Sequence, residues 1–214
     1  TDWYYHNYRN FSVNDLNPVI KKMIAHGNFV IRMGNIVSEK INFKNKKLID
    51  YHLIKNKSEL LEIYLLTNAK LYFGSDSGIF NVSMVNKVPF CFINFPSISN
   101  MLKYYNWTKM PFIFKLVKNK KNNQIISLAK ILENKLDKIF SSNDFEKKNI
   151  VMINNSSKDI TDLYLEVNNI LNNNHEYSSE DKYLQKKFWK IYSKYNKIPK
   201  LSSQTPLVGS KFLK

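Results

Sequence analysis

Leu71-Tyr72-Phe73, Gly74-Ser75-Asp76-Ser77-Gly78, a helical stretch from Ile79 to Asn86, then Pro89-Phe90-Cys91-Phe92-Ile93-Asn94: residues 71–94 decide the fold. Two apolar runs without alternation flank a polar loop and a helix. Strands that read as continuous apolar runs are buried on both faces, which is the habit of parallel sheets covered by helices. The loop sits at the carboxyl end of the first run, where ligands of such sheets bind. Gly74 and Gly78 permit a tight turn and close approach, and the amides of Ser77, Gly78 and Ile79 are placed to meet an anion at a helix start. The plainer reading is that Asp76 or Ser77 only caps the helix. No Gly-Lys-Ser/Thr follows, so the loop is not a P-loop.

Working outward, the same order repeats upstream. Asn14-Asp15 can cap a helix ending at His26-Gly27, with Pro18 in its first turn. Phe29–Met33 and Leu48–Tyr51 read as short strands, residues 35–47 as a lysine-rich loop, and Ser58 as the start of a helix with Leu60, Leu61, Tyr64 and Leu65 on its core face. Alternation of this kind predicts an α/β fold with a Rossmann-like, doubly wound parallel sheet. Downstream, Phe112-Ile113-Phe114 reads as a last strand, Lys115–Lys121 as a loop, and helices are predicted at 125–140, 158–172 and 179–194, with an irregular tail from 195. The predicted division is 1–140, a Rossmann-like α/β domain lacking its first strand, and 141–214, a helical segment that packs back on the sheet or on a further domain. The segment Trp3–Asn10 stands where a first strand would just have ended, so the chain reads as a fragment of a larger protein.

Of the 214 residues, 33 are Lys or Arg and 17 Asp or Glu, for a net charge of +16. Such a charge suggests a polyanionic partner. Yet 31 of the basic residues are lysines scattered along a chain with 29 asparagines, the residues of AT-rich codons. A nucleic-acid footprint needs cations gathered on one face, so that class is disfavoured. One cysteine, Cys91, excludes an internal disulfide framework and a Cys-based zinc site. No histidine pair has metal-ligand spacing and no Asp-x-Asp occurs, so no metal is expected. No apolar stretch is long enough to cross a bilayer as a helix.

The segment Gly74–Pro89 resembles the Asp-Ser/Thr-Gly loop, helix and Val-Pro strand start of GT-B glycosyltransferases, the heptosyltransferases of lipopolysaccharide synthesis most plainly; Asn81 stands where they carry His. Tyr5-His6-Asn7-Tyr8-Arg9-Asn10, Val30-Ile31-Arg32-Met33-Gly34, Ile49-Asp50-Tyr51, the Gly74–Gly78 loop and Gly209-Ser210-Lys211-Phe212-Leu213 are similar, in order and spacing, to a bacterial glycosyltransferase family of surface-glycan gene clusters. The resemblance implies the C-terminal half of a GT-B fold with extra C-terminal helices. It implies transfer from a nucleotide-sugar, bound as substrate with no cofactor, to a glycan or lipid-linked acceptor, in the cytoplasm or against the inner face of the membrane. The donor would be held by Arg9, Asn10, Arg32, Gly34, Ser75, Asp76, Ser77, Gly78 and Ile79. His6 is a candidate base, although that role belongs to the first domain in the resembled fold and the fragment alone is expected to be inactive. Both arginines of the chain lie in the matched segments, and a guanidinium offers a diphosphate the fork that Lys lacks; the alternative is that each pairs with a carboxylate such as Asp15 or Asp50. A non-catalytic nucleotide-binding module is the competing function. Tyr104-Tyr105-Trp107 could stack on a sugar, and the Tyr183, Phe188, Trp189, Tyr192 stripe is expected to be exposed in this chain alone.

Overall fold

A computed structural model describes residues 4–34, 37–101, 108–196 and 207–214. The Tyr104-Tyr105-Trp107 cluster lies outside the described residues. The chain is mixed α/β. Its strands are β1 (Val30–Arg32), β2 (Leu48–Asp50), β3 (Tyr72–Gly74), β4 (Phe90–Phe92), β5 (Leu116–Asn119) and β6 (Ile150–Ile153). The helices are α1 (Asn17–Ala25), α2 (Glu59–Thr67), α3 (Phe80–Val85), α4 (Ile98–Met101), α5 (Leu128–Glu133), α6 (Ser142–Lys147), α7 (Ser157–Leu171) and α8 (Ser179–Ser193).

The pairing forms three two-stranded sheets. β1 runs parallel to β2, with Arg32 opposite Asp50, and β3 runs parallel to β4, with Gly74 opposite Phe92. β5 and β6 are antiparallel. Residues 112–114 extend the β4 edge: Phe95 and Phe114 form a parallel bridge, and Phe112 makes another with Val208. The 115–121 stretch is therefore not the loop expected. Its lysine density hides Val117, which is 4% exposed and faces Ile131, Leu136 and Phe145 in the core.

Alternation along the central strands feeds two cores. Phe90, Phe92, Phe112 and Phe114 pack on Phe80, Leu132, Phe188, Trp189 and Tyr192. Cys91, Ile93 and Ile113 point the other way, onto Val19, Ile160, Leu163 and Val167. Helices thus cover both faces, α1 and α7 on one side, α3, α5 and α8 on the other. This is the physical reason the 90–93 run carries no polar residue.

The 183–192 stripe differs from expectation. Phe188, Trp189 and Tyr192 are buried, with the Phe188 ring 5.8 Å from Phe114; Tyr183 alone is exposed. α8 supplies the cover that the phenylalanine face of the central strands needs. The tail is ordered rather than irregular at 207–214: Val208 trades two hydrogen bonds with the Gln185 amide, and a short 3-10 turn spans Lys211–Leu213. The 125–140 helix is broken at Lys135, φ +53, into α5 and a turn at Leu136–Lys138.

Candidate functional site

β3 ends at Gly74 and α3 begins at Phe80, leaving the 75–79 loop between them. The Tyr72 hydroxyl shapes it, donating to Ser75 O at 2.9 Å and meeting Ser77 Oγ at 3.0 Å. Burial pushes the Tyr72 phenol up to about 12; the Ser77 bond lowers it and the Asp76 charge raises it further. A Cβ at Gly74 would stand 3.3 Å from the Tyr72 hydroxyl oxygen, so the smallest residue keeps that strut in place. Gly78 has nothing within 4 Å of such an atom and no positive φ; space, not strain, marks it. The Ser77 N–H turns back onto Ser75 O at 2.9 Å. The amides of Gly78 and Ile79 make no hydrogen bond among the described residues. Capping by Asp76 or Ser77 is not what occurs: the α3 N-cap is Ile79, with no side-chain cap bond.

Asp76 meets Arg9. One guanidinium nitrogen lies 2.9 Å from Asp76 Oδ1 and 2.5 Å from Asp76 O. The Arg9 side chain is 31% exposed and that of Asp76 13%. Burial raises the Asp76 carboxyl above its ordinary value, and the bond and charge of Arg9 pull it back down.

Arg9 closes a 3-10 turn, Tyr4–Arg9, that is anchored at three points, two of them on one helix. The Tyr8 amide donates to Ser142 Oγ at 3.2 Å and its ring lies 5.2 Å from Phe145, both on α6. The Tyr4 hydroxyl donates to Glu146 of the same helix. The third anchor is Lys115, directly after the 112–114 segment. Its ammonium donates to Tyr8 O at 2.9 Å and to Asn10 O at 2.7 Å, and the residue is 4% exposed. Burial lowers the Lys115 ammonium to about 8, with Asp76 opposing the shift. Reading the sequence missed Lys115 as a site residue. Its signal was position: a cation immediately after an apolar triplet, as Gly74 and Asn94 follow theirs.

His6 lies beside the same carboxylate, and its ring stands 3.9 Å from that of Tyr5. Asn10 is exposed and its side chain bonds Asn7 Oδ1 at 3.1 Å. The second arginine is engaged elsewhere. Arg32 donates to Asp50 Oδ2 at 3.2 Å and Glu39 O at 2.9 Å, the carboxylate pairing that the sequence allowed. Among the described residues, Arg32 and Gly34 make no hydrogen bond or ion pair with the 75–79 loop. Their link to it runs through the chain: the Glu39 carboxylate accepts from the Val13 amide, four residues after Arg9. Gly34 has φ +135, which side-chain-bearing residues rarely adopt.

Among the described residues, no group of three or more His, Cys, Asp or Glu is placed to hold a metal ion, and no helix is long and apolar enough to cross a membrane. Comparison with protein-family models, with curated proteins and with solved structures finds no match.

Proposed function

We propose that this chain is the donor-binding half of a metal-independent glycosyltransferase of bacterial surface glycans. The site would take the diphosphate of a nucleotide-sugar, with a glycan or lipid-linked acceptor meeting it from outside. The observation that carries this reading is the gathering of Arg9 and Lys115 at the polar loop that follows β3, a place where sheets with parallel strands bind ligands. Two cations against one carboxylate leave the site positive. The amides of Gly78 and Ile79 and the open space over Gly78 suit a phosphate oxygen. In the reading, parallel β1/β2 and β3/β4 with helices on both faces of the central strands belong to one Rossmann-like domain.

The chemistry asked of this half is charge stabilisation. Cleaving the bond between sugar and diphosphate leaves negative charge on the departing phosphate, and fixed donors aimed at it lower the barrier. Arg9 would exchange its Asp76 carboxylate for the ligand's phosphate, keeping one charge-assisted bond in either state. The 2.9 Å Arg9–Asp76 pair also favours a second reading, in which Arg9 is only a clamp on the loop.

The test is a panel of nucleotide-sugars and nucleoside diphosphates added to the isotope-labelled chain. The proposal expects shifts in the amide signals of Ser75–Ile79 and Tyr8–Asn10 together, for one nucleotide more than the rest. Signals of that loop that stay fixed across the panel would remove the donor site. Shifts without transfer to any acceptor, in a chain supplied with its other half, would leave a binding module.

A further inference from the structure

Lys115 is 4% exposed, the one buried lysine among the described residues, and it directly follows the apolar triplet Phe112–Phe114. A buried ammonium is costly, since desolvation disfavours the charged form. Its two bonds go to the carbonyls on either side of Arg9, Tyr8 O and Asn10 O. Those bonds cannot move Arg9's side chain directly; they fix the backbone from which it reaches Asp76. An ammonium has three donors, and the third has no acceptor among the described residues.

We propose that Lys115 is the positioning residue of the anion site: its ammonium brackets Arg9 through Tyr8 O and Asn10 O and so holds the guanidinium against the 75–79 loop. The inference rests on the donor-site reading for its purpose, but its geometry is independent of any ligand. Loss of the proton would strip the charge assistance from both bonds, which come from the one nitrogen, and loosen the turn. Of the titratable groups, Asp76 from the loop faces the ammonium; Arg9 and His6 from the 4–9 turn stand beside Asp76, and Tyr8 meets the ammonium through its backbone carbonyl. Glu146 of α6 accepts from Tyr4, and Asp144 of α6 pairs with Lys147. With the Lys115 ammonium drawn down to about 8, the bracket weakens as pH rises through that value.

The chain holds only two arginines, Arg9 and Arg32, so its guanidinium spectrum by 15N NMR contains two sets of signals. Arg32→Lys assigns them. In the wild-type chain the Arg9 set is expected to shift with a midpoint near pH 8, while the Arg32 set stays still. Lys115→Met should abolish that step and average the Arg9 terminal nitrogens into one signal. Pyrophosphate is the ligand probe, and its binding should weaken roughly tenfold in Lys115→Met. A folded Lys115→Met chain whose Arg9 set and pyrophosphate affinity match the wild type overturns the inference; if that variant fails to fold, a wild-type Arg9 set that stays still as pH rises from 7 to about 11, past the ordinary lysine value, overturns it. A pH step in a chain that binds no pyrophosphate removes the donor site while upholding the bracket.

Discussion

Lys115 sets the scale for what a single residue contributes. Its folded-state value of about 8 lies below the usual lysine value of 10.5. The folded state therefore holds fewer protons than the unfolded chain between those two values, and stability rises with pH across that window. Below pH 8 both states are charged and the full penalty is present. Two and a half units correspond to about 3 kcal/mol as an upper figure. Urea unfolding of wild type and Lys115→Met at pH 7 and pH 10 checks this. The wild type should gain on the variant by roughly 2–3 kcal/mol over that range; a constant difference would mean that Lys115 has an ordinary affinity for its proton. A penalty carried at neutral pH is what an installed charge at a functional site looks like.

At the scale of the element, the C-terminal elements are fixed by local chemistry that can be tested one residue at a time. α8 opens with a capping box: Ser178 accepts from the Asp181 amide and Asp181 accepts from the Ser178 amide. Ser178→Ala should cost about 1 kcal/mol in thermal or denaturant unfolding, and no loss would show that the core contacts alone hold the helix. Gly209 is held by packing rather than by φ. A Cβ there would meet Ile113 Cγ2 at 2.9 Å and Leu163 Cδ1 at 3.0 Å. Both atoms belong to core side chains, so Gly209→Ala should destabilise by about 1–3 kcal/mol, and a neutral effect would contradict the tight fit. The 30–32, 48–50, 72–74 and 90–92 strands were readable because each is an apolar run bounded by turn residues. β5 was not, because Lys115, Lys118, Lys120 and Lys121 outweigh Val117; β6, Ile150–Ile153, is an apolar run of the same kind between Asn149 and Asn154, and reading the sequence passed over it. Helix ends were obscured for another reason. With five glycines in the chain, left-handed turns fall on Asn149 after α6, Asn173 after α7 and Lys87 after α3, residues that give a weaker stop signal than Gly. The loop at 75–78 was legible from its glycines and its place after a strand. Its partners were not, since Arg9 and Asp76 are 67 residues apart and Lys115 reaches Asn10 across 105.

For the molecule as a whole, the β3–β4 pair, the 112–115 segment beside it and the anchored 4–9 turn meet at one cluster of charge. The net +16 is spread over the chain, but this cluster differs from the surface lysines: its cations are partly or wholly desolvated and fixed by named bonds. Low local dielectric strengthens such cations toward an anion, whereas surface charges are screened by salt. The central claim is that Arg9 and the 75–79 loop, with Lys115 holding the turn that carries Arg9, bind a diphosphate. The most direct measurement is calorimetric titration of nucleoside diphosphates into the 214-residue chain and into Arg9→Lys, side by side. Lysine keeps the charge and loses the fork, and a charge-assisted bond is typically worth about 1.5–3 kcal/mol. The account predicts one-to-one binding to the wild type, weakened roughly tenfold or more in a folded Arg9→Lys chain. Equal affinity in the two proteins, or no diphosphate bound by the wild type, would contradict it.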